Sequence, residues 1–104
     1  ALTRCDLLVM PTLPMKATRI PPPDASREEY TVRALEMIPN TCPFDVTGHP
    51  AINVACGLSG GLPVGMMLVG RTGDDATVLR AADAYDRQIA ATPTPAGMSL
   101  AGRA

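Results

Sequence analysis

A chain of 104 residues, 46% hydrophobic and 18% charged, has the profile of globular material able to hold one small core. The formal net charge is -1 and the nine basic residues are scattered singly, which argues against nucleic acid or an anionic membrane surface as a partner. The longest apolar runs, Leu7–Met10 and Leu62–Val69, fall far short of the roughly 20 residues that cross a bilayer, and no basic–apolar–small leader is seen.

The first element is read from Cys5-Asp6-Leu7-Leu8-Val9-Met10-Pro11, a short apolar run closed by Pro11 and Pro14. A run of this kind predicts a strand covered on both faces in the middle of a sheet. Pro21-Pro22-Pro23 then predicts an extended surface connection without a backbone ladder. Ser26-Arg27-Glu28-Glu29 fits a capping box, and Tyr30, Ala34, Met37 and Ile38 follow at helical spacing, so a helix is expected over about 26 to 38, stopped by Pro39. The stretch Asn40 to Pro50 has no steady period and reads as a partly helical loop.

Ala51–Gly57 reads as a strand, Ser59-Gly60-Gly61 as a turn and Leu62–Gly70 as the returning strand, a hairpin being the simplest pairing. Asp74 or Asp75 is placed to cap a last helix with Val78, Ala82, Tyr85 and Ile89 along one face, and with Arg80–Asp83 and Asp83–Arg87 as solvated pairs opposite. From Thr92 onward Pro93, Pro95, Gly97 and Gly102 break every pattern, so residues 92–104 are expected to form a frayed tail beyond a unit spanning 1–91. Three strands with only two amphipathic helices to cover them leave apolar faces and sheet edges bare, which points to a missing partner, either a longer chain or another subunit.

The residues that bear most on function are Pro11-Thr12-Leu13-Pro14 after the first strand, Phe44-Asp45-Val46-Thr47-Gly48-His49-Pro50-Ala51, and Gly60-Gly61-Leu62-Pro63-Val64-Gly65-Met66-Met67-Leu68-Val69-Gly70, followed by Asp75 opening a helix. In this order and spacing they resemble the closing part of amidase-signature enzymes, over about residues 5 to 89. The Thr47-Gly48-His49-Pro50-Ala51 wording is most similar to bacterial amidases that take simple aliphatic and aromatic amides, often beside nitrile hydratases. Ala55 departs from the pattern, since many relatives place Pro there, and this bears on the bend of the local strand.

The resemblance implies an α/β fold in which this chain is the C-terminal fragment of an α/β/α sandwich around a mixed sheet. It implies hydrolysis of carboxylic amides to acid and ammonia by a Ser–cis-Ser–Lys mechanism, with the reacting residues outside these 104. A small amide reaches the site through the longer enzyme, whose other partner is the rest of the chain or a second copy, and no cofactor or metal is implied. A segment like that of the amidotransferase A subunit, and a non-catalytic remnant or interaction module, are the competing readings.

Individual candidates are weighed against plainer roles. Ser59-Gly60-Gly61 lacks the second serine of a nucleophile loop and is better read as a turn. Lys16, the sole lysine, follows a strand end but has no patterned serine, so a surface amine is favoured. His49 has neither the spacing nor an orienting acid for a dyad with Cys42 or Cys56, and no metal-ligand spacing occurs. The three cysteines form no CxxC pair and favour reduced thiols in a cytoplasmic setting. Leu35, Ile38 and Thr41 are the candidates for a substrate-pocket wall, with Leu35 and Ile38 expected on one helix face; core packing is the favoured alternative for the two aliphatics.

Overall fold

A computed structural model describes residues 1–91. The element order is β1 (Leu8–Pro11), α1 (Arg27–Leu35), α2 (Cys42–Thr47), β2 (Ala51–Ser59), β3 (Leu62–Val69) and α3 (Asp75–Ala91). The three strands form one antiparallel sheet in the order β1-β3-β2, so the fold is α/β with β3 at the centre. The expectation for residues 92–104 lies outside the described residues.

The hairpin forms as its sequence requires. Ser59 pairs with Leu62 across Gly60 and Gly61, whose φ values of 59° and 80° match the two left-handed positions of a tight hairpin turn. The ladder shifts register between Ala55 and Gly57, and Gly57 takes a φ of 133° that a side chain would resist. The bend therefore falls beside Ala55 without a proline there.

The first strand corrects its sequence reading. It lies at a sheet edge rather than in the middle, with Leu8 opposite Val69 and Pro11 opposite Met66. Its burial alternates, Leu8 and Met10 half-buried and Val9 and Pro11 exposed, and Pro11 has no amide hydrogen for a second ladder. The central place goes to β3, whose Met67, Leu68 and Val69 are all buried. These three, with Val78 and Ala82 from α3, are the core of the described residues.

Helix α1 starts at the cap that the sequence predicts, Ser26 Oγ accepting from the Glu29 amide at 3.1 Å. It ends three residues earlier than its spacing suggests, at Leu35, with the Glu36 amide bonded to the Val32 carbonyl. Pro39 disfavours helical backbone at the residue before it, so the break reaches back past Pro39 itself. In the loop that follows, Pro43 and the left-handed Gly48 bracket α2, a single short helix.

Asp74 caps α3, accepting from the Thr77 amide at 3.3 Å and its hydroxyl at 2.8 Å. Val78 and Ala82 are buried and Tyr85 half-buried, while Ile89 at the end of the stripe is exposed. Of the two ion pairs expected on the far face, Asp83–Arg87 forms at 2.9 Å. Arg80 instead donates to Thr77 Oγ1 at 3.0 Å, because the capping network places that hydroxyl one turn earlier on the same face.

Long-range polar contacts fix the remaining ends. Arg71, just past β3, donates to the Leu2 carbonyl at 2.8 Å, to the Cys5 carbonyl at 3.0 Å and to Asp6 at 3.1 Å, fastening the first turn to the sheet. Cover stays scarce, as expected: thirteen large apolar side chains among the described residues are exposed against five buried hydrophobic ones. No helix among the described residues is long and apolar enough to cross a membrane.

Candidate functional site

Among the described residues a concavity opens where β1 ends and β3 begins, and has a volume of about 850 Å³. Its walls are apolar, chiefly Val9, Met10, Leu13, Met15, Val64 and Met66. The only side chains there with strong hydrogen-bonding groups are Lys16 and Asn40, with the Cys56 thiol beside them. A cavity of this size with few polar groups has the build of a small-molecule site.

Prolines give the groove its shape. Pro11 and Pro14 stop β1 from continuing, so residues 13–15 leave the sheet and form one wall. Three contacts hold that segment. The Thr12 amide donates to the Gly65 carbonyl at 3.2 Å, Thr12 Oγ1 donates to Asn53 Oδ1, and Asn40 Nδ2 donates to the Pro11 carbonyl at 2.9 Å. Glycine at 65 is a packing requirement, because a Cβ there would land on the Asn53 side-chain oxygen and lie 3.1 Å from Thr12 Oγ1.

That crowding yields a double-mutant test. Gly65→Ala should cost about 1 kcal/mol by pushing Asn53 off Thr12, the worth of one hydrogen bond. Asn53→Ala should cost a similar amount, and the two together clearly less than their sum, since the second change removes the obstacle created by the first. Strict additivity in urea unfolding would show that the two groups do not meet.

Leu35, Ile38 and Thr41 do not line this groove. Leu35 ends α1, whereas Ile38 lies beyond it in a turn, so the two do not share a helix face. The Ile38 carbonyl accepts from the amides of Thr41 and Cys42 at 3.1 and 2.9 Å and from Thr41 Oγ1 at 3.2 Å. Both aliphatics are exposed, at 55% and 41%, so neither packs in the core of the described residues. Their neighbour Asn40 is the residue that reaches the groove. The sequence places Asn40 at the start of a loop able to close over a substrate, but no spacing rule picks out its bond to Pro11, 29 residues away.

The other singled-out side chains take structural roles. Ser59 flanks the hairpin turn. His49 Nδ1 lies 2.7 Å from Thr47 Oγ1, and its ring stands edge-on to Phe44 at 6.3 Å. Cys56 Sγ donates to the Val64 carbonyl at 3.6 Å, Cys42 is exposed, and neither bonds to His49. Among the described residues no group of three His, Cys, Asp or Glu side chains is placed to hold a metal ion.

Comparison with known proteins gives this geometry a context. Residues 1–79 match the family model described as Amidase. The chain is 54% identical over 96 residues to an enantioselective amidase of Rhodococcus rhodochrous, covering 91% of this chain and 18% of that protein. It is also 54% identical over 96 residues to an uncharacterized protein in the nthA 5' region of Rhodococcus erythropolis, covering 92% of this chain and 48% of that one. The crystal structure of the A subunit of glutamyl-tRNA(Gln) amidotransferase from Thermotoga maritima superposes with a TM-score of 0.61 at 31% identity, over 83% of this chain and 18% of that chain. The 104 residues thus span about half the length of one relative and under a fifth of the other two. With the matched residues running from the first turn through β3 into α3, and the same backbone recurring in a solved relative, the chain belongs to the amidase family.

Proposed function

We propose that this chain acts as part of an amidase that hydrolyses carboxylic amides to acid and ammonia, and that its own share of the enzyme is non-catalytic. The observation that carries the reading is the 54% identity to an enantioselective amidase across nearly the whole chain. The thirteen exposed large apolar side chains among the described residues support it, because a larger α/β body would bury many of them. In this reading the serine nucleophile, the bridging cis serine and the lysine come from the rest of the enzyme. The bridging serine relays a proton to the lysine and the resulting alkoxide attacks the amide carbonyl. The partners are then a small amide substrate and either the rest of the amidase chain or a second copy, and the setting is cytoplasmic, in keeping with three free cysteines. A role like that of the amidotransferase A subunit is the second reading, favoured by the structural likeness to that protein.

Within the complete enzyme, Leu35, Ile38 and Thr41 form part of the wall facing the acyl group. Their exposure here leaves Leu35 and Ile38 free to meet either a substrate or another part of the enzyme. A segment exchange tests both levels. Replacing the matching segment of the Rhodococcus rhodochrous amidase with this chain should give an enzyme that still releases ammonia from simple amides. A folded but inactive chimera would count against the amidase reading. In an active chimera Ile38→Ala should widen the acyl range, raising kcat/KM for bulky amides several-fold relative to small ones. An unchanged ratio would remove Ile38 from the wall.

A further inference from the structure

The polar chemistry of the groove is one-sided. Lys16 is the only lysine of the chain, and its amine stands over the hairpin turn, 3.3 Å from the place where a Cβ on Gly60 would lie. It enters no ion pair among the described residues, and no Asp or Glu lines the groove. A point cation at the edge of an apolar groove, without an anion of its own, complements a ligand with one negative charge and a hydrophobic body. A phosphate dianion would call for a second cation, and none lines the groove.

The remaining groups fit the same ligand. Asn40 Nδ2 spends one N–H on the Pro11 carbonyl and keeps a second for a ligand oxygen. Met10, Met15 and Met66 supply unbranched, polarizable side chains that adapt to differently shaped tails. A volume of about 850 Å³ admits an aromatic or branched aliphatic acid with room to spare.

We propose that this groove is a binding site for small amphiphilic monocarboxylates, with the tail among Met10, Met15 and Met66 and the carboxylate at Lys16 and Asn40. A carboxylic acid is also what amide hydrolysis releases, so in the amidase reading the occupant is of the product class.

The methionines provide the readout. The chain, labelled with 13C at its methionine methyls, is titrated with 3-phenylpropionate and, separately, with the neutral 3-phenylpropionamide. The acid should shift the methyls of Met10, Met15 and Met66 saturably and leave Met37 unmoved, and should bind more tightly than the amide. Lys16→Gln should weaken the acid about 5-fold, as expected for a solvent-accessible charge pair, with the amide unaffected and Lys16→Arg close to the parent. Equal binding of acid and amide by the parent chain would overturn the proposal without recourse to any variant. So would absence of shifts at millimolar acid, movement of all the methionines alike, or indifference to Lys16→Gln. Binding is read without turnover, so a negative result sinks the carboxylate site and leaves amide hydrolysis standing, just as an inactive chimera would leave the site intact.

Discussion

Leu68→Ala is expected to lower the free energy of unfolding by about 2–5 kcal/mol, the range for emptying a well-packed Leu site. Leu68 lies in the central strand, opposite Val9 of β1 and Ile52 of β2, and is 5% exposed. Removing its side chain therefore withdraws contacts from the strand that joins the other two. With only five buried hydrophobic residues among those described, little else can move in to fill the space. A domain of this size is commonly held by roughly 5 kcal/mol, so a loss in this range removes most of its stability. The expected result is a urea transition that moves to much lower concentration or is no longer cooperative. A change below about 0.5 kcal/mol, the range of ordinary surface substitutions, would mean that β3 is not the structural centre.

Gly70→Ala should also destabilise, by about 1–3 kcal/mol, and its sign is informative. Gly70 is not among the glycines with positive φ, and at such positions alanine usually stabilises by about 0.4–1 kcal/mol through the unfolded chain. Here a Cβ would come within 2.5 Å of Val78 Cγ2, 3.4 Å of the Asp74 carbonyl and 3.5 Å of Pro50 Cγ. The Gly70 amide is meanwhile held to the Pro50 carbonyl at 2.9 Å, so the backbone cannot simply retreat. The same substitution in a Val78→Ala background should cost clearly less, because the nearest clashing methyl is gone. A stabilising effect of Gly70→Ala would show that α3 does not sit against the end of β3 as described.

Both sites lie toward the C-terminal end of β3, beside the buried Val69 and Val78. The groove lies toward the opposite end of β3, at Val64–Met66. A variant that loosens Leu68 or Gly70 therefore threatens the fold as a whole, whereas Lys16 can be changed on the exposed rim with little structural consequence.

Much of the local structure was legible in the residues themselves. The Ser26 cap on the Glu29 amide, the Gly60-Gly61 turn, the Asp74 cap and the Val78–Ala82 stripe all form, because each depends on neighbours within a few positions. The family was legible for a related reason: its motifs are runs of turn, strand and glycine whose order survives in one dimension. Apolar periodicity also showed that the strands want more cover than this chain supplies.

What only the tertiary structure decided is which distant residues meet. The central place of β3, the edge position of β1, the tie from Arg71 to Leu2 and Cys5, and the bond from Asn40 to Pro11 join positions tens of residues apart, and no spacing rule reaches across them. The groove belongs to the same class: its walls come from β1, the segment after it, Asn40 and the hairpin, and they become one surface only when β1 pairs with β3. Spacing along the chain fixes hydrogen bonds and faces within a turn or a strand; the pairing of strands is set by which apolar surfaces can be buried together, a property of the folded whole.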